Sequence, residues 1–333
     1  MIIIEKIYKE YIHYIVYMAL TINILILIVS AFVLAKSGTL LVRSLSKLAR
    51  FLKVSEYMIA FVLVAFATSV PELFVGIVSA LNKTPEISLG NVIGSNIADV
   101  TLVMGIIALL GRYIKIKNKF IFKDLFYMFL IALVPVLLML DNVLSRLDGA
   151  ILLVIFFLYM YMIIHKNKST EIVNNVQYTD VFKNFGIFFF SILLLLGSAE
   201  FLVRSAKEIS IELNLPILLI GLFVVAIGTS LPELVYGSRA ILLKHKEQAL
   251  GDIMGSIVAN STAVLGITAI ITPIVFNFSL FLISSAFMIF ALFIFMTFIR
   301  SGSVITWREG VALLMLYVLF IIVQFYIQGL PIT

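Results

Sequence analysis

The hexapeptide Thr68-Ser69-Val70-Pro71-Glu72-Leu73 returns as Thr229-Ser230-Leu231-Pro232-Glu233-Leu234, an offset of 161 residues. The same offset, without a gap, pairs Leu41-Val42-Arg43-Ser44 with Leu202-Val203-Arg204-Ser205. It also pairs Gly90, Gly94, Ser95 and Gly105 with Gly251, Gly255, Ser256 and Gly266. Between 68 and 105, 17 of 38 positions are identical to their partners. Shared apolar composition cannot hold Pro, Glu, Thr and Gly in register, so the chain is an internal duplication.

What is duplicated is a set of membrane spans. Hydrophobic residues make up 62% of the 333, charged residues 13%, and mean hydropathy is +1.18, outside the range of soluble domains. Apolar windows of the length a bilayer requires fall at 18–42, 57–80, 88–110, 123–141, 147–164, 185–207, 216–242, 249–271, 277–299 and 310–328. The expectation is an all-α membrane protein of about ten transmembrane helices. Five spans per repeat is an odd number, so the second five-helix repeat (185–333) must enter the membrane inverted relative to the first (18–164). The polar stretch 165–184 links them, and residues 1–17 read as an interfacial extension of the first helix. Such inverted repeats place a substrate site near the midplane, between the halves.

The net charge of +6 is an orientation signal and not a nucleic-acid patch. The odd-numbered connections hold 17 Lys and Arg, the opposite side 6, which predicts a cytoplasmic linker and both termini outside a cell membrane. No cysteine is present, which excludes disulfides and thiolate metal sites.

An ionised carboxylate in the hydrocarbon region is costly and functional by default. Glu72 and Glu233 each stand inside an apolar stretch, behind Pro71 and Pro232. A proline removes one backbone hydrogen bond, which points to freed carbonyls at Ala67 and Gly228 and, through local crowding, at Ala65 and Ala226. Thr68 and Glu72 share a helix face, as do Thr229 and Glu233. In the following helix Ser95 and Asp99 are four apart, mirrored by Ser256 and Asn260. Carboxylate, hydroxyl and backbone oxygens are what hard cations such as Ca²⁺ prefer. Against this, the prolines alone could be plain kinks, and the serines small polar residues at helix contacts. Lys36 and Glu200 read as snorkelling or structurally paired charges.

Thr-Ser-x-Pro-Glu, followed by Gly-Asn-x-x-Gly-Ser-Asn, resembles the alpha-repeat signature of the sodium/calcium exchangers of the cation/calcium antiporter superfamily, prokaryotic and archaeal type. The resemblance implies a secondary antiporter, not an enzyme, in which Ca²⁺ and Na⁺ compete for one central cluster by alternating access. The ligands it carries over are Glu72, Glu233, Thr68, Thr229, Ser69, Ser230, Ser95 and Ser256, with Asp99 and Asn260 beside them. It implies no cofactor and no obligatory protein partner, only the transported ions and the bilayer. Four positions depart from the family's pattern. Ala67 replaces a Gly, Asp252 replaces the Asn that Asn91 retains, and Asp99 and Asn260 are exchanged relative to archaeal members.

Ca²⁺/H⁺ exchange is the alternative within the class, because Glu72, Glu233 and Asp99 could exchange protons. The family's proton-coupled branch usually carries Gly-Asn-x-x-Glu in place of Thr-Ser-x-Pro-Glu, which argues against it. An intramembrane hydrolase would need a nucleophile or a His/Cys metal cluster, and neither is evident. A passive cation channel is the third reading, and coupled countertransport separates it from a carrier.

Overall fold

The structure is a computed structural model that describes residues 2–51, 68–116, 121–166, 178–243 and 245–327. They form ten helices: α1 (Ile2–Phe51), α2 (Val70–Leu81), α3 (Glu86–Gly111), α4 (Ile121–Leu138), α5 (Arg146–Lys166), α6 (Tyr178–Glu212), α7 (Ile217–Leu242), α8 (Lys246–Ile271), α9 (Phe278–Gly302) and α10 (Trp307–Ile327). Nine of these are long and apolar enough to cross a membrane, and α2 is shorter. Residues 57–67 of the second expected span lie outside the described residues. Helices are the form this composition demands, because lipid offers no hydrogen-bond partner for a backbone left open.

Two helices run beyond their apolar windows. Helix α1 starts at Ile2, and α6 starts at Tyr178, inside the stretch read as a linker. Hydropathy marks where side chains suit lipid, whereas a helix runs on through polar turns as long as its backbone bonds continue. At 1.5 Å per residue the 50 residues of α1 reach roughly 75 Å, far more than the bilayer core.

The repeat is visible as a two-fold relation. Strand β1 (Tyr113–Lys115) pairs antiparallel with β4 (Val304–Thr306), and β2 (Val143–Leu144) with β3 (Ile274–Val275). Adding 161 turns β1 into the start of β3 and β2 into the start of β4, so the second pairing is the image of the first. These two short ladders are the only strands among the described residues of a chain read as all-helical. Ser145 caps α5 through Asp148, donating its amide and its hydroxyl to Oδ2 at 2.9 and 2.6 Å. Its image is Thr306 with Glu309, at 2.6 and 3.0 Å. Both are capping boxes, a residue pattern set three apart.

Packing follows the same relation. Helices α1 and α6 lie along each other, with Asn23 of α1 donating to Glu212 at the far end of α6 at 3.2 Å; early residues therefore meet late ones, as in an antiparallel pair. Their apolar faces, with Leu34, Leu41, Leu202 and Val203, close over Val75 and Val78 of α2. The larger core joins α3, α4, α8, α9 and α10 around Ile97, Met104, Leu125, Ile257, Phe281 and Phe295. Helices α3 and α8 are the most enclosed, while α1 and α5 keep large apolar side chains such as Leu25, Ile28, Phe157 and Leu158 on the outside, the pattern of a bundle whose rim faces lipid.

Candidate functional site

The site forms where the four central helices cross. Helix α3 passes so close to α7 that a Cβ added at Gly94 would lie 2.0 Å from the Leu222 carbonyl oxygen, and one at Gly90 2.2 Å from that of Leu218. Backbones can approach this closely only where the residue has no side chain. That crossing brings Asn91 and Ser95 of α3 against Thr229 of α7.

Helix α7 breaks at Ser230 (φ −79°, ψ 2°), and Ser69 takes the same conformation before α2 (φ −80°, ψ 5°). Pro71 and Pro232 sit in the first turn after each break, where no N–H is needed. Glu72 and Glu233 follow in that first turn, at the positive end of a half-helix dipole. The Ala226 carbonyl is not released, which corrects the expectation for it. It accepts the Ser230 amide at 3.0 Å and the Thr229 hydroxyl at 3.3 Å, because the break closes its last turn before Pro232. Ala65 and Ala67 lie outside the described residues.

In α3 a π-helical turn spans Asp99–Val103, and in α8 one spans Asn260–Val264, again 161 residues apart. Each turn begins on the polar residue and inserts one extra residue, a distortion found mostly at functional sites. Thr101 and Thr262 donate back to the carbonyls of Ile97 and Val258, at 2.5 and 2.6 Å.

The buried polar groups form one network. Thr68 donates to Asp252 Oδ1 at 3.1 Å, and Thr229 donates to Asn91 Oδ1 at 3.0 Å; the second bond is the image of the first. Ser95 and Thr229 hydroxyls meet at 3.2 Å. Ser256 receives the Ser69 hydroxyl at 3.1 Å and lies 3.2 Å from Asp99 Oδ2 and 3.3 Å from Glu233 Oε1. Its single proton can serve only one of those carboxylates at a time. Asn260 donates weakly to Asn96 Oδ1 at 3.4 Å and to Ser256 at 3.5 Å, and Asn96 donates to Ser261 at 2.9 Å. Glu72, Asp99, Glu233, Ser95, Ser256 and Asn260 are all completely buried.

Four carboxylates share this region. Glu233 feels the charges of Glu72, Asp99 and Asp252, and Glu72 that of Asp99. No Lys or Arg among the described residues pairs with any of them. Among the described residues both oxygens of Glu72 lack a hydrogen-bond partner, as do Asp99 Oδ1, Glu233 Oε2, Asp252 Oδ2, Ser230 Oγ and Asn260 Oδ1. Buried acceptors left open cost several kcal/mol for a charged group, so the carboxylates among them call for a cation or a proton. Among the described residues no three acids or histidines converge tightly enough to hold a metal ion by themselves, so hydroxyl and amide oxygens must complete any coordination shell.

The ten side chains proposed as ligands thus meet in one region, whereas the eleventh described position, Ala226, keeps its carbonyl bonded. Asp252, Asn91 and Asn96 belong there too, although the sequence reading assigned none of them as a ligand. For Asp252 the signal was present: an acid inside an apolar span, at the repeat position of Asn91. Asn96 contacts Ser261, whose repeat partner is Val100, so no internal symmetry points to it. Lys36 and Glu200 do not pair with one another. The Lys36 ammonium lies 5.5 Å from the Phe32 ring. Glu200 pairs with Arg204 and accepts the Asn82 amide at 2.8 Å.

A cavity of about 330 Å³ runs from the surface near Arg43, Arg239 and His245 inward to Thr68 and Pro232, with Tyr236 on its wall. The repeat equivalents of three of its lining residues, Thr39, Arg43 and Leu243, are Glu200, Arg204 and Asn82. On that opposite side these three are bonded together.

Comparison with known proteins agrees with this architecture. The family model described as sodium/calcium exchanger protein matches twice, over residues 22–165 and 183–326, the two matches again 161 apart. The chain is 30% identical over 351 residues to the sodium/calcium exchanger MaX1 of Methanosarcina acetivorans, covering 92% of this chain and all of that one. It is 33% identical over 237 residues to the putative antiporter CaxA of Alkalimonas amylolytica, covering 68% of this chain and 74% of that protein. The crystal structure of the sodium-calcium exchanger NCX_Mj superposes with a TM-score of 0.64 at 25% identity, covering 90% of this chain and 97% of that one. The H⁺/Ca²⁺ exchanger CAX shares the fold with a TM-score of 0.73 at 14% identity, covering 90% and 82%.

Proposed function

The chain belongs to the sodium/calcium exchanger family of multi-pass membrane transporters, and on that premise we propose that it exchanges Ca²⁺ for Na⁺ at the buried cluster around Glu72 and Glu233. The observation that carries this reading is the set of seven buried oxygens without a hydrogen-bond partner. They are hard, anionic or dipolar ligands of the kind that Ca²⁺ and other hard cations take. Glu72 and Glu233, with Asp99 and Asp252 near them, supply the charge. Thr68, Thr229, Ser69, Ser230, Ser95 and Ser256 supply hydroxyls, Asn260 its amide oxygen, and Ala65 a backbone carbonyl.

Transport requires that the cluster face one side at a time. The cavity reaching Thr68 and the bonded trio Asn82, Glu200 and Arg204 at the repeat-equivalent place fit alternating access, with one side open and the other shut. The open side carries Arg43, Arg239 and His245 and belongs to the basic, cytoplasmic face of a cell membrane protein whose termini lie outside.

Ca²⁺/H⁺ exchange is the second reading, and one observation favours it: four carboxylates carry more negative charge than one Ca²⁺ balances. The deciding experiment is Ca²⁺ uptake into proteoliposomes, driven separately by a Na⁺ gradient and by a pH gradient. Uptake under the Na⁺ gradient alone is expected. Uptake only under the pH gradient would replace Na⁺ coupling with H⁺ coupling, and uptake with neither would overturn exchange.

A further inference from the structure

We propose that Asp252 is a further cation ligand, set between the cavity and Glu233, that determines how tightly the protein holds a hard cation. The inference rests on the exchange reading above and goes beyond the ligand set that the repeat motifs supply.

Asp252 is 3% exposed. Its Oδ1 accepts the Thr68 hydroxyl at 3.1 Å, and its Oδ2 has no partner. Thr68 and Tyr236 both line the cavity, and Asp252 acts electrostatically on Tyr236 and on Glu233. The carboxylate therefore lies one hydrogen bond behind the cavity wall at Thr68, close to the central cluster.

Its repeat partner shows what the structure itself requires here. Asn91 accepts the Thr229 hydroxyl at 3.0 Å in the same geometry, and it does so uncharged. A carboxamide at 252 would keep the Thr68 bond, so the fold has no need of the charge. The charge instead adds a buried, unpaired anionic oxygen, which is costly unless a cation meets it. Thr68 Oγ, Asp252 Oδ2 and the nearby Glu233 form an oxygen set of the kind hard cations take. The cation is Na⁺ or Ca²⁺, and separate titrations distinguish them.

The test is Asp252→Asn in the full chain, reconstituted in proteoliposomes. Initial rates of Ca²⁺ uptake are titrated with Ca²⁺ at fixed Na⁺ and with Na⁺ at fixed Ca²⁺. A rise of about tenfold or more in the half-saturating concentration of one ion is expected, and the arm that moves identifies the ion. Unchanged half-saturation for both ions would overturn the proposal, since Asn preserves the bond a purely structural Asp would serve. Asn91→Asp places the mirror-image carboxylate on Thr229 and is the second arm. It should lower the half-saturating concentration of the same ion and, combined with Asp252→Asn, restore the wild-type value. Should Asp252→Asn not fold, an Asn91→Asp protein with wild-type half-saturation overturns the proposal alone. A wild-type protein that moves no Ca²⁺ under either gradient overturns the exchange reading instead. Asp252 is then judged by whether Ca²⁺ or Na⁺ raises the melting temperature of wild type more than that of Asp252→Asn.

Discussion

The hydroxyl of Ser69 rests 3.1 Å from that of Ser256, so the break before α2 in one half of the chain is tied to α8 in the other. Ser256 also reaches Asp99 and Glu233, whereas its repeat partner Ser95 has the Thr229 hydroxyl as its hydrogen-bond partner at 3.2 Å. Ser256→Ala should therefore slow exchange more than Ser95→Ala, by about tenfold against a few-fold, given ~1–3 kcal/mol for a buried acceptor left without its donor. Uptake rates of the two variants at saturating Ca²⁺ check this, and equal losses would mean that the extra contacts of Ser256 contribute nothing.

Glu72→Gln and Glu233→Gln should each reduce Ca²⁺ exchange at least 100-fold while leaving the protein folded. Glutamine keeps the volume and removes the charge, and a neutral side chain also suits the surrounding lipid-buried helices. The check is uptake combined with size exclusion and melting temperature. Wild-type exchange in a folded Glu72→Gln protein would remove Glu72 from the site.

Asp99 and Asn260 open matching π turns, and Asp99 carries the one acid of that pair. Asp99→Asn should shift Na⁺ competition or the pH profile of uptake rather than abolish Ca²⁺ binding. The double exchange Asp99→Asn with Asn260→Asp retains the cluster charge and should recover part of the transport rate. Uptake across acid to neutral pH in both variants is the measurement, and a profile identical to wild type in Asp99→Asn would show that Asp99 takes no part in coupling.

Gly94→Ala puts a methyl group 2.0 Å from the Leu222 carbonyl oxygen, a backbone atom that cannot swing aside. The α3–α7 crossing must open, at a cost of roughly 1–3 kcal/mol, visible as a lower melting temperature. Because Asn91 and Ser95 ride on the same helix, transport should fall as well. A variant as stable and active as wild type would place the close approach elsewhere.

Orientation is accessible to labelling because the chain has no native cysteine. A single cysteine replacing Ser169, in the polar connection between the repeats, should react only with reagent from the cytoplasmic side. Reaction from outside would invert the topology and, with it, the assignment of the cavity.

Much of this arrangement was legible in the residues. A gapless offset of 161 carrying Pro, Glu, Thr and Gly in register is enough to predict two halves, and an odd number of spans is enough to invert one. Glu72 and Glu233 announce themselves because acids in apolar helices have few other uses. Other features needed three dimensions. The Thr68–Asp252 and Thr229–Asn91 bonds join residues 184 and 138 apart, and spacing along one helix says nothing about which helix crosses it. The Ala226 carbonyl stayed occupied because the chain breaks two residues before Pro232, a choice made by the backbone and not by the proline alone. Helix α1 outran its apolar window because polar side chains do not end a helix.

The cavity at Thr39, Arg43 and Leu243 and the bonded trio at Glu200, Arg204 and Asn82 occupy equivalent places in the two halves. If the halves traded shapes, the same residues would seal the present opening and unseal the other. The two populations would then differ in free energy only through positions where the repeats are unlike. Leu243 cannot donate to Thr39 as Asn82 does to Glu200, so that hydrogen bond stabilises one population and has no counterpart in the other. A partly exposed bond of this kind contributes on the order of 1 kcal/mol, about fivefold in the ratio of the two states. Under such an exchange of shapes the resting bias of the molecule would be set by its imperfect self-similarity, and residues far from any ion would retune it.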